Sequence, residues 1–186
     1  MNKKNFAQLK KMLKRADRVF LQNHLGRVYM SDCHFIVWMP EDVYRQYVAD
    51  DFLPSVAAGE RLDYVRELGV WNACTIHLPG RLDESMREED PTIAYETSVR
   101  MAVGRDGMQV VVIDAKDSLV FLADHYFKMA SDLCGLHHLY ASRRIAPVWF
   151  YDRVDFKGIG CWVLPVNANP SQFRATVEKL LQKVPA

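Results

Sequence analysis

The sequence predicts an α+β domain in which helices pack on one face of an antiparallel sheet. Short apolar and aromatic segments bounded by turn residues alternate with amphipathic helical segments along the chain. The 186 residues are 49% hydrophobic and 25% charged, which is the composition of a globular domain with a substantial core. Residues 8–40 and 125–165 also share an order of elements. We therefore expect a single domain over residues 1–186, built from two similar halves and followed by an extra C-terminal helix.

The two similar segments each predict a helix, a loop, an aromatic strand ending in aspartate, a turn, and a second strand stopped by proline. The aspartates are Asp32 and Asp152, and the prolines are Pro40 and Pro165. The spacing between equivalent positions grows along the chain, which is typical of a duplicated unit with loop insertions and not of a fixed-period solenoid.

The N-terminal segment predicts an amphipathic helix over 3–18. Its apolar residues recur at helical spacing on one side, and all of its basic residues fall on the opposite side with no acid before Asp17. The apolar residues are Phe6, Leu9, Met12, Leu13 and Ala16, and the basic residues are Lys3, Lys4, Lys10, Lys11, Lys14, Arg15 and Arg18.

The rest of the first half, about 1–80, predicts strands at 27–30 and 34–39, joined by a tight turn at 31–33. Pro40 then opens a helix that runs through Val48. Helical spacing of Leu62, Val65 and Leu68 predicts an interrupted helix in 50–70, and a further strand is expected at 71–78.

Polar residues 81–91 predict an exposed loop or a short acidic helix before the second half, which covers about 92–166. The second half predicts a hairpin, a short strand, a helix capped by Asp124, and three closing strands. The hairpin strands are 92–103 and 108–113, the short strand is 118–121, the helix is 123–133, and the closing strands are 138–142, 147–151 and 160–164. Pro170 begins the C-terminal helix, 170–184.

Several of these segments resemble a half-domain of the bacterial DNA sliding clamps. In that family a strand leads to a helix of the form Tyr-hydrophobic-x-x-Ala, as at Tyr126–Ala130, and the closing strands end in a Leu-Pro-hydrophobic element, as at Leu164–Val166. The first half is similar to the companion half, with its Tyr-x-Ser-Asp turn at Tyr29–Asp32. The resemblance implies one clamp-like domain of two pseudo-symmetric halves, with helix 170–184 outside them. It also implies non-catalytic DNA binding, in an assembly that could include a homo-oligomer, since clamps close into rings from several such domains.

The basic helix is the predicted nucleic-acid interface, because a row of cations gains affinity by releasing counterions from a phosphate backbone. The residues predicted to contact that backbone are Lys4, Lys10, Lys11, Lys14, Arg15 and Arg18. The alternative interpretation is a solvated surface helix whose lysines aid solubility. A membrane is not an expected partner, since the apolar side of the helix lacks tryptophan and no long apolar run occurs.

Two other functions stay open. One is a protein-interaction module in which the acidic segment 81–90 meets a partner. The other is a metal-dependent nuclease, because Asp114-x-Lys116 after an apolar strand resembles the Asp/Glu-x-Lys element of restriction-endonuclease-like enzymes, with Glu96 as the partner acid. Since short motifs of this kind are common, an enzyme is the less favoured interpretation.

Cys74-x-x-His77 and Cys134-x-x-His137 have a spacing that a Cys2His2 zinc site would use. Their apolar surroundings favour buried cysteine and half-buried histidine instead, so we predict no metal and no cofactor. Four cysteines in a chain of this length do not indicate a disulfide scaffold, and the expected location is the cytoplasm.

Overall fold

The computed structural model describes residues 3–79, 92–103, 106–115, 119–134, 139–141, 147–151 and 158–166. Within these ranges eleven strands form one sheet in which every pairing is antiparallel. The strands are β1 Arg18–His24, β2 Arg27–Ser31, β3 Phe35–Pro40, β4 Arg61–Val65, β5 Val70–Ala73, β6 Thr92–Val103, β7 Met108–Asp114, β8 Leu119–Ala123, β9 Leu139–Ala141, β10 Val148–Tyr151 and β11 Gly160–Val163. Their spatial order is β5-β4-β1-β2-β3-β11-β10-β9-β6-β7-β8.

Two main helices cover one face of this sheet: α1, Lys3–Arg15, and α3, Asp124–Cys134. They contact each other as well as the sheet. A short helix, α2, covers Glu41–Val43 and continues as a π-helical turn, Tyr44–Val48. Together these elements give the predicted α+β class.

The main core lies between the helices and the sheet, and it is built by strand alternation. Val28 and Met30 of β2 lie opposite Met39 and Val37 of β3, so all four side chains point to the helical face. From the helices, Phe6, Leu9 and Leu13 of α1 and Phe127, Met129, Ala130 and Leu133 of α3 fill the same cluster. Burial of this apolar surface is the main driving force that holds the helices on the sheet.

The face away from the helices is also apolar at its centre. Phe20, Ile36, Leu78 and Trp149 are buried there, with Trp38 and Trp162 packed against them. The tryptophans therefore contact one another and the chain segment ending at Leu78, as their position in strands among aliphatic residues predicts.

The predicted helix in 50–70 is wrong. Residues 61–65 form β4 instead, which pairs with β1 so that Leu62 lies opposite Leu21. Gly69, with a φ of +67°, then turns the chain into β5. Leu68, which helical spacing placed in an apolar stripe, is 64% exposed at that turn. Pairing with a distant strand outweighed the local spacing.

Helix α1 ends at Arg15, three residues before the predicted boundary. Arg66, which follows β4, donates from its guanidinium to the carbonyl oxygens of Lys14 and Ala16 at 2.9 and 3.2 Å. A cation that satisfies the last carbonyls of a helix stabilises its C-terminus. Arg18 is therefore the first residue of β1 and not part of the basic helix.

The remaining elements follow the sequence with small shifts in their ends. The strand expected at 71–78 stops at Ala73, and the strand expected at 138–142 covers Leu139–Ala141. The acidic segment 81–90 and the C-terminal helix 170–184 lie outside the described residues. In the part of the chain that is described, no helix is long and apolar enough to cross a membrane.

Candidate nucleic-acid interface

Helix α1 presents its cations to solvent because its other side is fixed in the core. Phe6, Leu9 and Leu13 are fully buried. The helix cannot rotate without exposing these side chains. The exposed basic residues of α1 are Lys3, Lys4, Lys11, Lys14 and Arg15, and Lys10 is partly buried.

The exposed cations of α1, with the partly buried Lys10, form a basic surface. One side of this basic surface is partly neutralised by Asp50. Both lysine ammonium groups approach its Oδ2, Lys10 at 2.8 Å and Lys14 at 3.0 Å. The Asp50 Oδ1 accepts hydrogen bonds from the backbone N–H groups of Phe52 and Leu53, each at 3.0 Å. Burial raises the pKa of Asp50, but these hydrogen bonds outweigh it and hold the pKa well below the usual range of an aspartate. Asp50 therefore stays ionised and offsets part of the charge that Lys10 and Lys14 carry.

Replacing Asp50 by asparagine is expected to lower the free energy of unfolding by about 1–2 kcal/mol at neutral pH, because hydrogen bonds to a charged acceptor are lost. A depressed pKa stabilises the folded chain above the pKa of the unfolded chain, which is about 3.9. The advantage of wild type over Asp50→Asn should thus be constant above about pH 5 and shrink as the pH falls below about 4. Urea denaturation across this range measures it.

Asp51→Asn is the matched control, since Asp51 is an exposed neighbour of the same residue type. An equal loss of stability in the two variants would contradict the role of Asp50.

Arg18 lies away from the other predicted cations. Its guanidinium forms a two-point ion pair with Asp63, with Nε 3.0 Å from Oδ1, and lies 4.7 Å from the ring centroid of Phe20. Phe20 belongs to the sheet face opposite the helices. Since alternate residues of a strand point to the same face, Arg18 lies on that opposite face too. The structure thus does not bring Arg18 together with the cations of α1.

The other side of the basic surface borders a pocket between α1 and α3 with a volume of about 310 Å³. From α1 and the residue after it, the lining includes Gln8, Lys11, Met12, Arg15 and Ala16, and the opposite wall is Asp32, His125 and Tyr126. Among the residues that the structure describes, neither Lys11 nor Arg15 forms an ion pair. These two cations therefore keep their charge available at the mouth of the pocket.

Asp32 holds the wall of this pocket in place. Its Oδ1 accepts hydrogen bonds from the backbone N–H groups of His34 and Phe35 at 2.9 and 3.2 Å, and its Oδ2 accepts one from the Tyr126 hydroxyl at 3.1 Å. The His34 ring stacks on Tyr126 with centroids 5.6 Å apart. Burial, followed by the charge of Asp32, raises the pKa of Tyr126, so the hydroxyl remains a donor. The turn between β2 and β3 is thereby tied to the first turn of α3.

Tyr126→Phe is expected to lower the free energy of unfolding by about 1–2 kcal/mol, because a carboxylate oxygen loses its hydroxyl donor in a nearly buried site. Chemical denaturation measures the change. Tyr95→Phe is the control, since that tyrosine is 67% exposed. If the Tyr126 variant is as stable as the control, the hydrogen bond between Tyr126 and Asp32 contributes little to the free energy of unfolding.

Two of the residues of the nuclease hypothesis, Glu96 and Asp114, are not brought together. In the pairing of β6 with β7, Tyr95 lies opposite Asp114 and Glu96 lies opposite Ile113. Adjacent residues of a strand point to opposite faces, so Glu96 and Asp114 lie on different sides of the sheet. Glu96 instead pairs with Arg100 at 2.5 Å, and Lys116 lies outside the described residues.

Cys74 and Cys134, the two cysteines of the possible zinc site, lie on opposite faces of the sheet. Cys74 packs on the sheet face away from the helices, whereas Cys134 packs against the helical core, and His137 lies outside the described residues. Burial raises the pKa of the Cys134 thiol to about 12, which disfavours a thiolate ligand or nucleophile. Among the described residues, no group of three or more His, Cys, Asp or Glu side chains could hold a metal ion.

Sequence reasoning missed Asp50, His125 and Arg66. Each of them meets α1 only through tertiary contact, so helical periodicity carries no signal for it. The motifs that contain Asp32 and Tyr126 were both recognised, but their contact was not. No protein-family model matches this chain, and no curated protein is significantly similar to it in sequence.

Proposed function

We propose that this chain is a non-catalytic, clamp-like binding domain that contacts a nucleic-acid backbone through the exposed cations of α1. The exposed side of α1 carries the proposal. Lys3, Lys4, Lys11 and Arg15 are exposed along one helix, which is anchored by the fully buried side chains of Phe6, Leu9 and Leu13. A row of cations held in fixed positions can neutralise backbone phosphates, and such contacts do not distinguish one base sequence from another.

The order of strands supports the clamp-like part of this proposal. Each half contributes a helix followed by three antiparallel strands: α1 with β1, β2 and β3, then α3 with β9, β10 and β11. The last strands of the two sets, β3 and β11, pair with each other at the middle of the sheet. The order then reads β3-β2-β1-β4 in one direction and β11-β10-β9-β6 in the other. Two halves related by a pseudo-two-fold axis between β3 and β11 would have this arrangement.

The two helices differ in charge, so the proposed contact is one-sided. Helix α3 exposes Lys128, but Asp132 is also exposed and Asp124 is partly so. We therefore assign the phosphate contact to α1 alone. A few backbone contacts without base readout correspond to non-specific binding, with a Kd of about 10⁻⁴–10⁻⁶ M.

The test compares two pairs of substitutions on the same helix. Lys11→Gln/Arg15→Gln removes two cations that form no ion pair among the described residues, and Lys10→Gln/Lys14→Gln removes the two that pair with Asp50. Fluorescence anisotropy with a labelled duplex at low salt is expected to show roughly tenfold weaker binding for the first pair, or about 1.4 kcal/mol. The second pair should lose clearly less, because Asp50 already offsets its charge.

Thermal unfolding of each variant checks that the fold is kept. Equal losses for the two pairs, or a wild type that does not bind nucleic acid at low salt, would overturn the proposal. A cytoplasmic location and a homo-oligomeric state stay predictions, and the mass of the protein in solution measures the second.

A further inference from the structure

The pocket between α1 and α3 is a concave site that includes two of the exposed cations of α1, Lys11 and Arg15. Its volume of about 310 Å³ lies at the lower end of the range of small-molecule sites, which begins near 300 Å³. We infer that this pocket is a binding site for a single phosphate group, held by Lys11 and Arg15 against the wall formed by His125 and Tyr126. This inference rests on the proposed function, because it identifies the pocket as the place where α1 binds a phosphate of the nucleic acid.

The donors of the pocket converge from one side. Gln8, Lys11 and Arg15 follow one another at spacings of three and four residues, so their side chains lie along the same strip of α1. The arginine offers a planar fork of N–H donors that matches two phosphate oxygens, while the lysine supplies a compact charge. The amide of Gln8 adds a neutral donor at the end of the strip.

The one carboxylate among the lining residues, Asp32, offsets only one of these two positive charges. Asp32 is only 9% exposed, and its oxygens already accept from two backbone N–H groups and from the Tyr126 hydroxyl. With Lys11 and Arg15 ionised, the described lining keeps a net positive charge. Phosphate is therefore the ligand class that complements it.

His125 completes the wall as a neutral donor. Partial burial of the imidazole lowers its pKa, the neighbouring His34 acts in the same direction, and together they outweigh the opposing charges of Asp32 and Asp124. A neutral imidazole still donates one N–H. Met12 and Ala16 make the rest of the lining apolar, which leaves room for part of a sugar next to the phosphate.

Such a phosphate could belong to a nucleic-acid chain or to a single nucleotide, and both present the same chemistry to the pocket. The probes are inorganic phosphate, a nucleoside 5′-monophosphate, and one oligonucleotide with and without a 5′-phosphate. Binding of each to wild-type protein is measured by isothermal titration, and competition with inorganic phosphate shows whether they share the site. The strongest competitor identifies the source of the phosphate. If the monophosphate competes best, the ligand is a free nucleotide; if the 5′-phosphorylated oligonucleotide competes best, it is the end of a strand. If the two oligonucleotides compete equally well, the ligand is an internal phosphate of the strand.

The pocket variant is Lys11→Gln/Arg15→Gln, and the matched control is Lys3→Gln/Lys4→Gln. The control removes the same charge from the same helix at exposed positions that do not line the pocket. Wild type is expected to bind inorganic phosphate saturably with a Kd of about 1–10 mM. The pocket variant should bind it at least about tenfold more weakly, and the control should match wild type within about twofold.

Failure of this inference can be told apart from failure of the proposed function. If phosphate does not bind wild type saturably, or if both variants lose it alike, the pocket is not a phosphate site, even where nucleic acid still binds. If phosphate binds at the pocket but no oligonucleotide does, the pocket stands and the nucleic-acid function falls.

Discussion

Truncation of Phe6 to alanine is expected to lower the free energy of unfolding by about 3–5 kcal/mol, because it opens a cavity beneath the basic helix. Phe6 is fully buried, and its ring stacks on Tyr47 of the π-helical turn with centroids 5.3 Å apart. The ring belongs to the main core between the helices and the sheet, where close packing leaves a truncated side chain with a cavity. Urea denaturation followed by circular dichroism measures the loss.

Phe6→Leu is the control for this variant. It keeps most of the apolar volume and should cost less than about 1.5 kcal/mol. If α1 makes the proposed contact, Phe6→Ala should also weaken nucleic-acid binding without removing any charge, because α1 is then less firmly anchored to the core. A Phe6→Ala protein as stable as Phe6→Leu would mean that α1 does not pack on the core as described.

Gly160→Ala is expected to cost about 2–3 kcal/mol for the opposite reason, which is overpacking. Gly160 begins β11 and lies directly opposite Trp38 of β3. A Cβ at this position would approach Cζ2 of the Trp38 indole to 2.0 Å, so the ring would have to leave its place over the strand. The indole there also packs edge-on against Trp149, with centroids 6.3 Å apart, and both contacts would suffer together.

A double-mutant cycle tests this explanation. In a Trp38→Leu background the obstructing ring is absent, so adding Gly160→Ala should cost less than about 1 kcal/mol. Gly26→Ala separates steric overlap from backbone strain, because a Cβ there meets nothing within 4 Å although φ is +74°. If the Trp38→Leu background gives no relief, the indole does not lie over Gly160 in solution.

Local sequence patterns predicted the helices and strands that have strong hydrophobic periodicity or that pair with a neighbouring segment of the chain. The position of α1 follows from the helical spacing of Phe6, Leu9 and Leu13, and β2 and β3 follow from their alternation around a tight turn. The end of α1 could not be read in this way. It depends on Arg66, which is far along the chain and is placed at the last carbonyls by the pairing of β4 with β1.

The wrong prediction of a helix at β4 also arises from contacts between residues that are distant in the sequence. Leu62, Val65 and Leu68 are spaced as in a helix, but β1 offers residues 61–65 a complete ladder of backbone hydrogen bonds. Register between distant strands is a tertiary property, and it overrides weak local propensity.

For the candidate interface, the sequence identified the cations but not which of them remain available. The charge row of α1 is visible in one dimension, whereas Asp50 and Asp63 reach Lys10, Lys14 and Arg18 only in the folded chain. Of the six predicted residues, Lys4, Lys11, Lys14 and Arg15 are exposed on α1 in the structure. His125 and Tyr126 line the adjacent pocket, and helical charge patterns cannot indicate their position.

The most direct test of the central claim is the salt dependence of nucleic-acid binding. A plot of log K against log salt concentration for duplex DNA has a slope of about −0.9 for each phosphate that the protein neutralises. If the exposed cations of α1 make the contact, Lys11→Gln/Arg15→Gln should reduce the magnitude of the wild-type slope by about 1.8. An affinity that does not depend on salt, or a slope that the substitutions leave unchanged, would contradict the assignment of α1 as the nucleic-acid interface.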